Sequence, residues 1–260
     1  MDNPSSLKSW ELKPARDLGL PPAERFRSLK REAGLMETAV GRLWGGLLRL
    51  YLHGWHRLAV DGREHLPKTP PFILIANHSS HLDALVMASL VSGRLRDRLF
   101  PIAAGDTFFE TPASSAFAAI VLNALPMWRK RCGQHALQEL RDRLVGEPCA
   151  YILFPEGTRS RDGNLNPFKA GLGMLVAGTP VPVVPCFLAG TYAALPPKRK
   201  FPRWKKVRVR IGPPRIFQDV ANDRRGWEHI ATEMEGAVKS LMPGTIGGAA
   251  VESGGSQFRP

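Results

Sequence analysis

Cysteine, acidic side chains and long apolar runs are all in short supply in this chain. Its three cysteines, Cys132, Cys149 and Cys186, show neither the even count of a disulfide framework nor the spacing of metal ligands. A disulfide scaffold is therefore disfavoured, and a reducing, cytoplasmic setting is expected. Thirty-six lysines and arginines face 23 acids, leaving a formal charge of +13. The partner surface should then be anionic, whether nucleic acid, anionic lipid or a phosphorylated substrate. No stretch reaches the roughly 18 uninterrupted apolar residues of a spanning helix. The opening MDNPSSLKSWELKPARDLGL lacks the apolar centre of a signal peptide. A soluble or membrane-peripheral protein is the expectation.

A chain of 260 residues can bury a full core in one α/β domain. Short apolar runs bounded by proline, glycine or charge predict strands at 57–62, 72–75, 100–106, 150–154 and 181–191. Helical patterns separate most of them, over about 83–91, 107–122, 134–144 and 223–241. The fold class expected is a single α/β domain with a mixed, largely parallel central sheet flanked by helices, plus an N-terminal amphipathic helix. Residues 1–35 read as a flexible or surface-lying arm, 36–56 as the amphipathic helix, 57–242 as the domain and 243–260 as a disordered tail. On the 36–56 helix, Arg42, Arg49, His53, His56 and Arg57 share a narrow stripe, while Leu43, Trp44, Leu47, Leu50, Tyr51 and Trp55 fill the rest of the wheel. Such a helix either lies at a membrane with its arginines on lipid phosphate or packs on the domain with its basic face in water. The RLRDR of 94–98 reads as a solvated helix end. Between Thr191 and Gln218 there are nine basic residues and no acid, enough to dock the protein reversibly on an anionic leaflet at about 1 kcal/mol each. WKKVRVRIG, 204–212, alternates like an edge strand with its cations outward.

The chemistry-bearing stretch is FILIANHSSHLD, 72–83. His78 falls at the carboxyl end of a buried strand, where ligands of open α/β sheets collect. Asp83 falls in the first turn of the following helix, placed to fix the imidazole's tautomer and stabilise its charged form. That pairing makes His78 a general base. YILFPEGTRS, 151–160, repeats the design, with a strand, a proline and then Glu156, Gly157 and Arg159 in one turn.

Together, NHSSHLD and FPEGTRS resemble the first and third motifs of the glycerolipid acyltransferases, the lysophosphatidic acid acyltransferase family. LNALPMWRKR, 122–131, resembles the second motif and puts Arg129 at the position that contacts the acceptor. Asn123 stands where a glycine is usual, Trp128 where an acid is common, and Gly105 where a lysine often follows the preceding strand. Phe168, Lys169 and Gly171 also look like the family, and VPVVPCFLAGT is similar to its fourth motif, assigned to shaping the acyl pocket. The resemblance implies acyl transfer from an acyl thioester, acyl-CoA or acyl carrier protein, to the free hydroxyl of a lysophospholipid. It implies His78 and Asp83 as the catalytic pair and Arg129, Glu156, Gly157 and Arg159 at the acceptor, with no metal and no cofactor. Arginine suits a phosphate because guanidinium presents a planar fork of donors. Glu156 is left between two tasks, binding glycerol hydroxyls or orienting Arg159. Backbone N–H groups around Gly157 are candidate oxyanion donors. The expected partners are an anionic membrane surface, the lysolipid and the acyl carrier, without nucleic acid, on the cytoplasmic face of a membrane.

Three rivals remain in view. His78, His81 and Asp83 are possible ligands for a metal-dependent hydrolase, with His81 otherwise a polar turn residue. A cysteine could form an acyl-enzyme. A basic binding module could carry the motifs without turnover.

Overall fold

The strand that leads to His78 is buried at all five positions, Phe72–Ala76, because parallel neighbours and two layers of helices enclose it. The computed structural model describes residues 17, 19–29, 31–32, 34–91, 93–105, 109–127 and 134–244. In chain order the strands are β1 Ala59–Asp61, β2 Phe72–Ala76, β3 Leu99–Ala104, β4 Leu125–Met127, β5 Ala150–Leu153, β6 Val183–Ala189 and β7 Arg208–Ile211. Among the described residues they form one sheet in the order β1-β7-β6-β2-β5-β3-β4. Every neighbouring pair is parallel except β6 and β7. The helices are α1 Pro22–Arg25, α2 Leu35–Gly54, α3 Leu82–Ser89, α4 Gly93–Asp97, α5 Pro112–Ile120, α6 Gln134–Gly146, α7 Gly171–Val176, α8 Thr191–Ala194 and α9 Arg224–Ser240. This is the single mixed, mostly parallel α/β domain with an added N-terminal helix that the alternation of runs predicts.

The period of two along each strand divides the core. Ile73, Ile75, Tyr151 and Val183 pack with Leu140, Leu144, Leu172, Ile230 and Met234 of α6, α7 and α9. Phe72, Leu74, Ile152, Val184 and Cys186 pack on the other face with Leu48 and Leu52 of α2 and Val86 and Met87 of α3. Each aliphatic side chain taken wholly out of water contributes about 1.5–3 kcal/mol, so truncations in the central strands should destabilise most. Asp223 caps α9 by accepting from the Gly226 N–H at 2.8 Å, and Thr111 caps α5 through Ser114 N.

Four expectations change. First, α2 shows water both leucines and part of its basic stripe, with Arg42 54% exposed and His53 and Arg57 exposed as well. Arg42 reaches across to Asp97 at 2.5 Å, and Arg49 donates to the Val91 carbonyl at 3.1 Å. His56 is fully buried between the Tyr51 hydroxyl and the Lys205 carbonyl, each 3.0 Å away. The leucines Leu43, Leu47 and Leu50 are instead 68%, 53% and 72% exposed. The domain supplies acceptors for the cations, while the sheet covers only the side of the helix bearing Leu48 and Leu52.

Second, the 94–98 segment is solvated only at Arg94 and Arg98. Arg96 is buried and lies on the α2 backbone at Gly45, where a Cβ would collide with its guanidinium. Third, β7 is interior rather than an edge strand. The chain after α2 returns as β1 and pairs outside it, from Ala59 against Arg208. Fourth, part of the expected arm is packed. Arg31 is 2% exposed and donates to Asn123 Oδ1 at 2.8 Å, while Arg143 donates to the Leu29 and Arg31 carbonyls. Burial lowers the Arg31 pKa to about 10. Residues 1–16 and the tail from 245 lie outside the described residues.

Candidate active site

The site is built where β2 and β5 end side by side, with Ile75 level with Leu153. Past β2 the backbone turns through Asn77–His81 into α3. Asn77 extends the sheet by side chain, donating to the Leu188 carbonyl at 3.1 Å and accepting from the Leu188 N–H at 2.7 Å. The turn is thereby anchored to β6. Asp83, in the first turn of α3, is fully buried. Its Oδ2 accepts from Ser79 N and Ser80 N, both at 2.7 Å. The same oxygen lies 2.9 Å from His78 Nδ1. Three donors converge on this one oxygen, and an Asp83-facing Nδ1–H leaves Nε2 as the basic nitrogen of His78. The imidazole stacks on Phe154 at the end of β5, ring centroids 4.2 Å apart and planes 19° off parallel. With its side chain 21% exposed, it is held on one side and open on the other.

The second turn is bolted to the first. Glu156, 3% exposed, accepts from the His78 backbone N–H at 2.6 Å through Oε1. Its Oε2 accepts from Asn166 N at 3.0 Å and Asn166 Nδ2 at 2.8 Å. Ser160 N donates to the His78 carbonyl at 2.7 Å. Burial raises the Glu156 pKa, against the opposing pull of those donors. The oxygens of Glu156 thereby brace the two turns, and the side chain that touches Arg159 is His81.

Gly157 adopts φ +73°, and a Cβ there would meet Lys169 Nζ at 2.8 Å. Glycine is required on both counts. Its N–H closes a turn on the Phe154 carbonyl at 2.9 Å. Arg159 contacts His81 through Nη1 and Nε2. Burial holds the His81 pKa below the ordinary histidine value, with Arg159 and then His78 adding to the effect and Asp83 opposing it. The neutral ring is then the acceptor for the guanidinium. Arg129 lies outside the described residues.

His78, Asp83 and Glu156, singled out from their spacing, meet in the structure, whereas their supports were not read from the sequence. The turn residue His81 touches Arg159, Phe154 backs the imidazole, and Asn166 holds Glu156. His81 and Asn166, polar residues of turn segments, carried a signal in that polarity, and Phe154 carried none. Asn123 is another case. It stands at φ +54°, a conformation that glycine or asparagine accommodates, so the substitution for glycine preserves the turn. Its amide also donates to the Leu99 carbonyl at 3.1 Å.

The rivals fare less well. Among the described residues no three His, Cys, Asp or Glu side chains gather as metal ligands. His78 turns Nδ1 to Asp83 while His81 faces Arg159, so the two imidazoles do not converge. Cys186 is fully buried, and burial pushes its thiol far above the ordinary range. Cys149 is also buried, and Cys132 lies outside the described residues.

A family model described as Acyltransferase matches residues 57–189, a span that holds both turns. The chain belongs to the acyltransferase family. Among curated relatives, the 1-acyl-sn-glycerol-3-phosphate acyltransferase alpha of Mus musculus is 32% identical over 63% of this chain and 56% of its own. The human protein of the same name is 30% identical over 63% of this chain and 56% of its own. A chloroplastic 1-acyl-sn-glycerol-3-phosphate acyltransferase of Brassica napus is 30% identical over 60% and 43%. The chain thus spans about half the length of the curated relatives it matches. The crystal structure of the 1-acyl-sn-glycerophosphate acyltransferase PlsC from Thermotoga maritima shares the fold, with TM-score 0.57, 23% identity, and 85% of this chain and 94% of that one covered.

Proposed function

We propose that this acyltransferase moves a fatty acyl group from an acyl thioester to the free hydroxyl of a lysophospholipid, 1-acyl-sn-glycerol-3-phosphate, giving phosphatidic acid. The observation that carries the reading is the buried Asp83 carboxylate 2.9 Å from His78 Nδ1 at the end of β2. His78 Nε2 takes the proton of the acceptor hydroxyl as its oxygen attacks the thioester carbonyl. The tetrahedral intermediate then collapses, the carbon–sulfur bond breaks, and the departing thiolate takes the proton from the imidazolium. No acyl-enzyme is needed. Arg159, turned by His81, binds the acceptor phosphate together with Arg129. Membrane association follows from the exposed leucines of α2, because an apolar helix face in water calls for an apolar partner. Among the described residues no helix is long and apolar enough to cross a membrane, and a peripheral position on the cytoplasmic side completes the reading.

The test is incubation of the purified protein with an acyl thioester and a panel of lysolipids, with products identified by mass. Formation of phosphatidic acid that disappears in His78→Ala supports the reading. Turnover of none of the panel, or near-normal turnover in that variant, sinks it.

A further inference from the structure

The sheet has an uncovered corner beside this site. Along β6 and β7, Val184, Cys186, Leu188, Val209 and Ile211 point to the face that α2 covers. The alternate residues Phe187, Arg208 and Arg210 point to the opposite face. There they line a groove of about 470 Å³ together with Arg57 and Lys206. Four cations converge over a floor of Phe187 and Ala189.

Several of these cations are held in place without being neutralised. Arg57 lies over the Trp204 ring, 4.6 Å from its centroid, and Arg210 donates to the Leu241 carbonyl at 3.1 Å. Arg208 has a loose pairing with Asp61 at 3.6 Å, both side chains 56% exposed, which contributes little in water. The groove is strongly cationic, with an apolar base.

Its place in the sheet limits what it can hold. Arg208 pairs with Ala189, at the same end of the sheet as His78, and Asn77 is hydrogen-bonded to Leu188. Two strand spacings, roughly 10 Å, separate Arg208 from the turn that carries His78. The volume suits a small molecule, whereas a protein carrier needs a broad contact surface. The exposed leucines of α2 lie on the other face of the sheet, so a bilayer seated on them does not reach this groove.

We infer that the groove binds the phosphates of a coenzyme A thioester, a water-soluble donor carrying several phosphates on a long flexible arm, whose acyl end is thereby delivered to His78. The inference rests on the acyl-transfer reading and adds a direction to it. The donor arrives from the aqueous face of the sheet and the lipid acceptor from the face that carries α2.

The experiment is calorimetric titration of the full chain with coenzyme A itself, which needs no turnover, in wild type and in the double variant Lys206→Gln, Arg208→Gln. Both side chains are exposed, so the variant should fold with an unchanged Tm. Loss of charge-assisted contacts should weaken coenzyme A binding about tenfold or more, and 3′-dephospho-coenzyme A should bind wild type more weakly than coenzyme A. The KM for acyl-CoA should rise in parallel, while the KM for the lysolipid and binding to anionic vesicles stay put. Failure of wild type to bind coenzyme A, or an unchanged Kd in the variant, overturns the inference, as does loss of vesicle binding with the Kd intact. Coenzyme A binding that the variant weakens, in a protein that acylates no lysolipid, sinks the acyl-transfer reading and leaves the groove standing.

Discussion

The turn after β2 and the outer side of α2 both reverse the usual distribution of polarity, and they do so for different reasons. In the turn, Asn77, Ser79, Ser80 and Asp83 are buried. Hydrogen bonds from the chain itself replace most of those to water, at Asn77, at Ser80 and at Asp83 Oδ2, while Asp83 Oδ1 is buried without a partner. On α2, Leu43, Leu47 and Leu50 face outward with nothing of the described chain over them. Polar groups inside report a site completed by the fold, and apolar groups outside report a surface that the fold leaves for something else.

This contrast can be attacked from both ends. The largest effect is expected at the turn. His78→Ala should cost on the order of 10²–10⁴-fold in kcat with little change in Tm, because the imidazole is partly open. Asp83→Ala should instead lower both, since Ser79 N, Ser80 N and His78 lose their shared acceptor, at about 1–3 kcal/mol for donors left unsatisfied. Equal Tm losses in the two variants would dissolve the distinction between reacting group and support.

Next comes α2. The triple change Leu43→Ser, Leu47→Ser, Leu50→Ser should leave thermal stability nearly unchanged and lower partition onto vesicles by about a hundredfold. A large drop in Tm without loss of vesicle binding would mean that those side chains pack within the protein. Smaller again is the acceptor clamp. Arg159→Ala should raise the lysolipid KM about tenfold with kcat less affected, and His81→Leu should do the same more weakly. The His81 pKa is lowered by burial and then by Arg159. Its contribution to holding Arg159 is present above the ordinary histidine value of 6.5 and is lost as pH falls through the lower folded value. A lysolipid KM that stays flat as pH is lowered from above 6.5 until the protein unfolds would exclude the contact from acceptor binding.

The smallest effect concerns Glu156, whose carboxyl is raised above its ordinary 4.5 by burial. The folded protein then holds that proton more tightly than the unfolded chain. The stability it contributes is full below pH 4.5 and lost as pH rises through the folded value. Glu156→Gln should flatten the stability profile within that window, from pH 4.5 up to the raised folded value. An unaltered Tm-versus-pH curve would show that the buried brace titrates as an exposed acid does.

Much of the sheet was legible in the chain because parallel strands buried on both faces read as unbroken apolar runs. FILIA and AYIL announce themselves in this way. His78 and Asp83 were legible because five residues suffice to turn from a strand end into the first turn of a helix, so their meeting is a local event. The roles of Glu156 and His81 were not, since each depends on a partner supplied by another turn. Glu156 lies 78 positions from the N–H it accepts. The surroundings of α2 were not legible for a related reason. A helical wheel fixes which residues share a side, while only the fold supplies Asp97 and the Val91 carbonyl as acceptors for Arg42 and Arg49.

The amino-acid order alone determined the strand and helix runs, the strand-end histidine with its carboxylate, and the excess of positive charge, all set by periodicity and short spacings. Tertiary structure alone decided that Glu156 is a brace, that α2 shows its leucines, and that four cations gather on a free corner of the sheet. These outcomes depend on contacts between segments distant along the chain, and neither spacing nor composition carries that information.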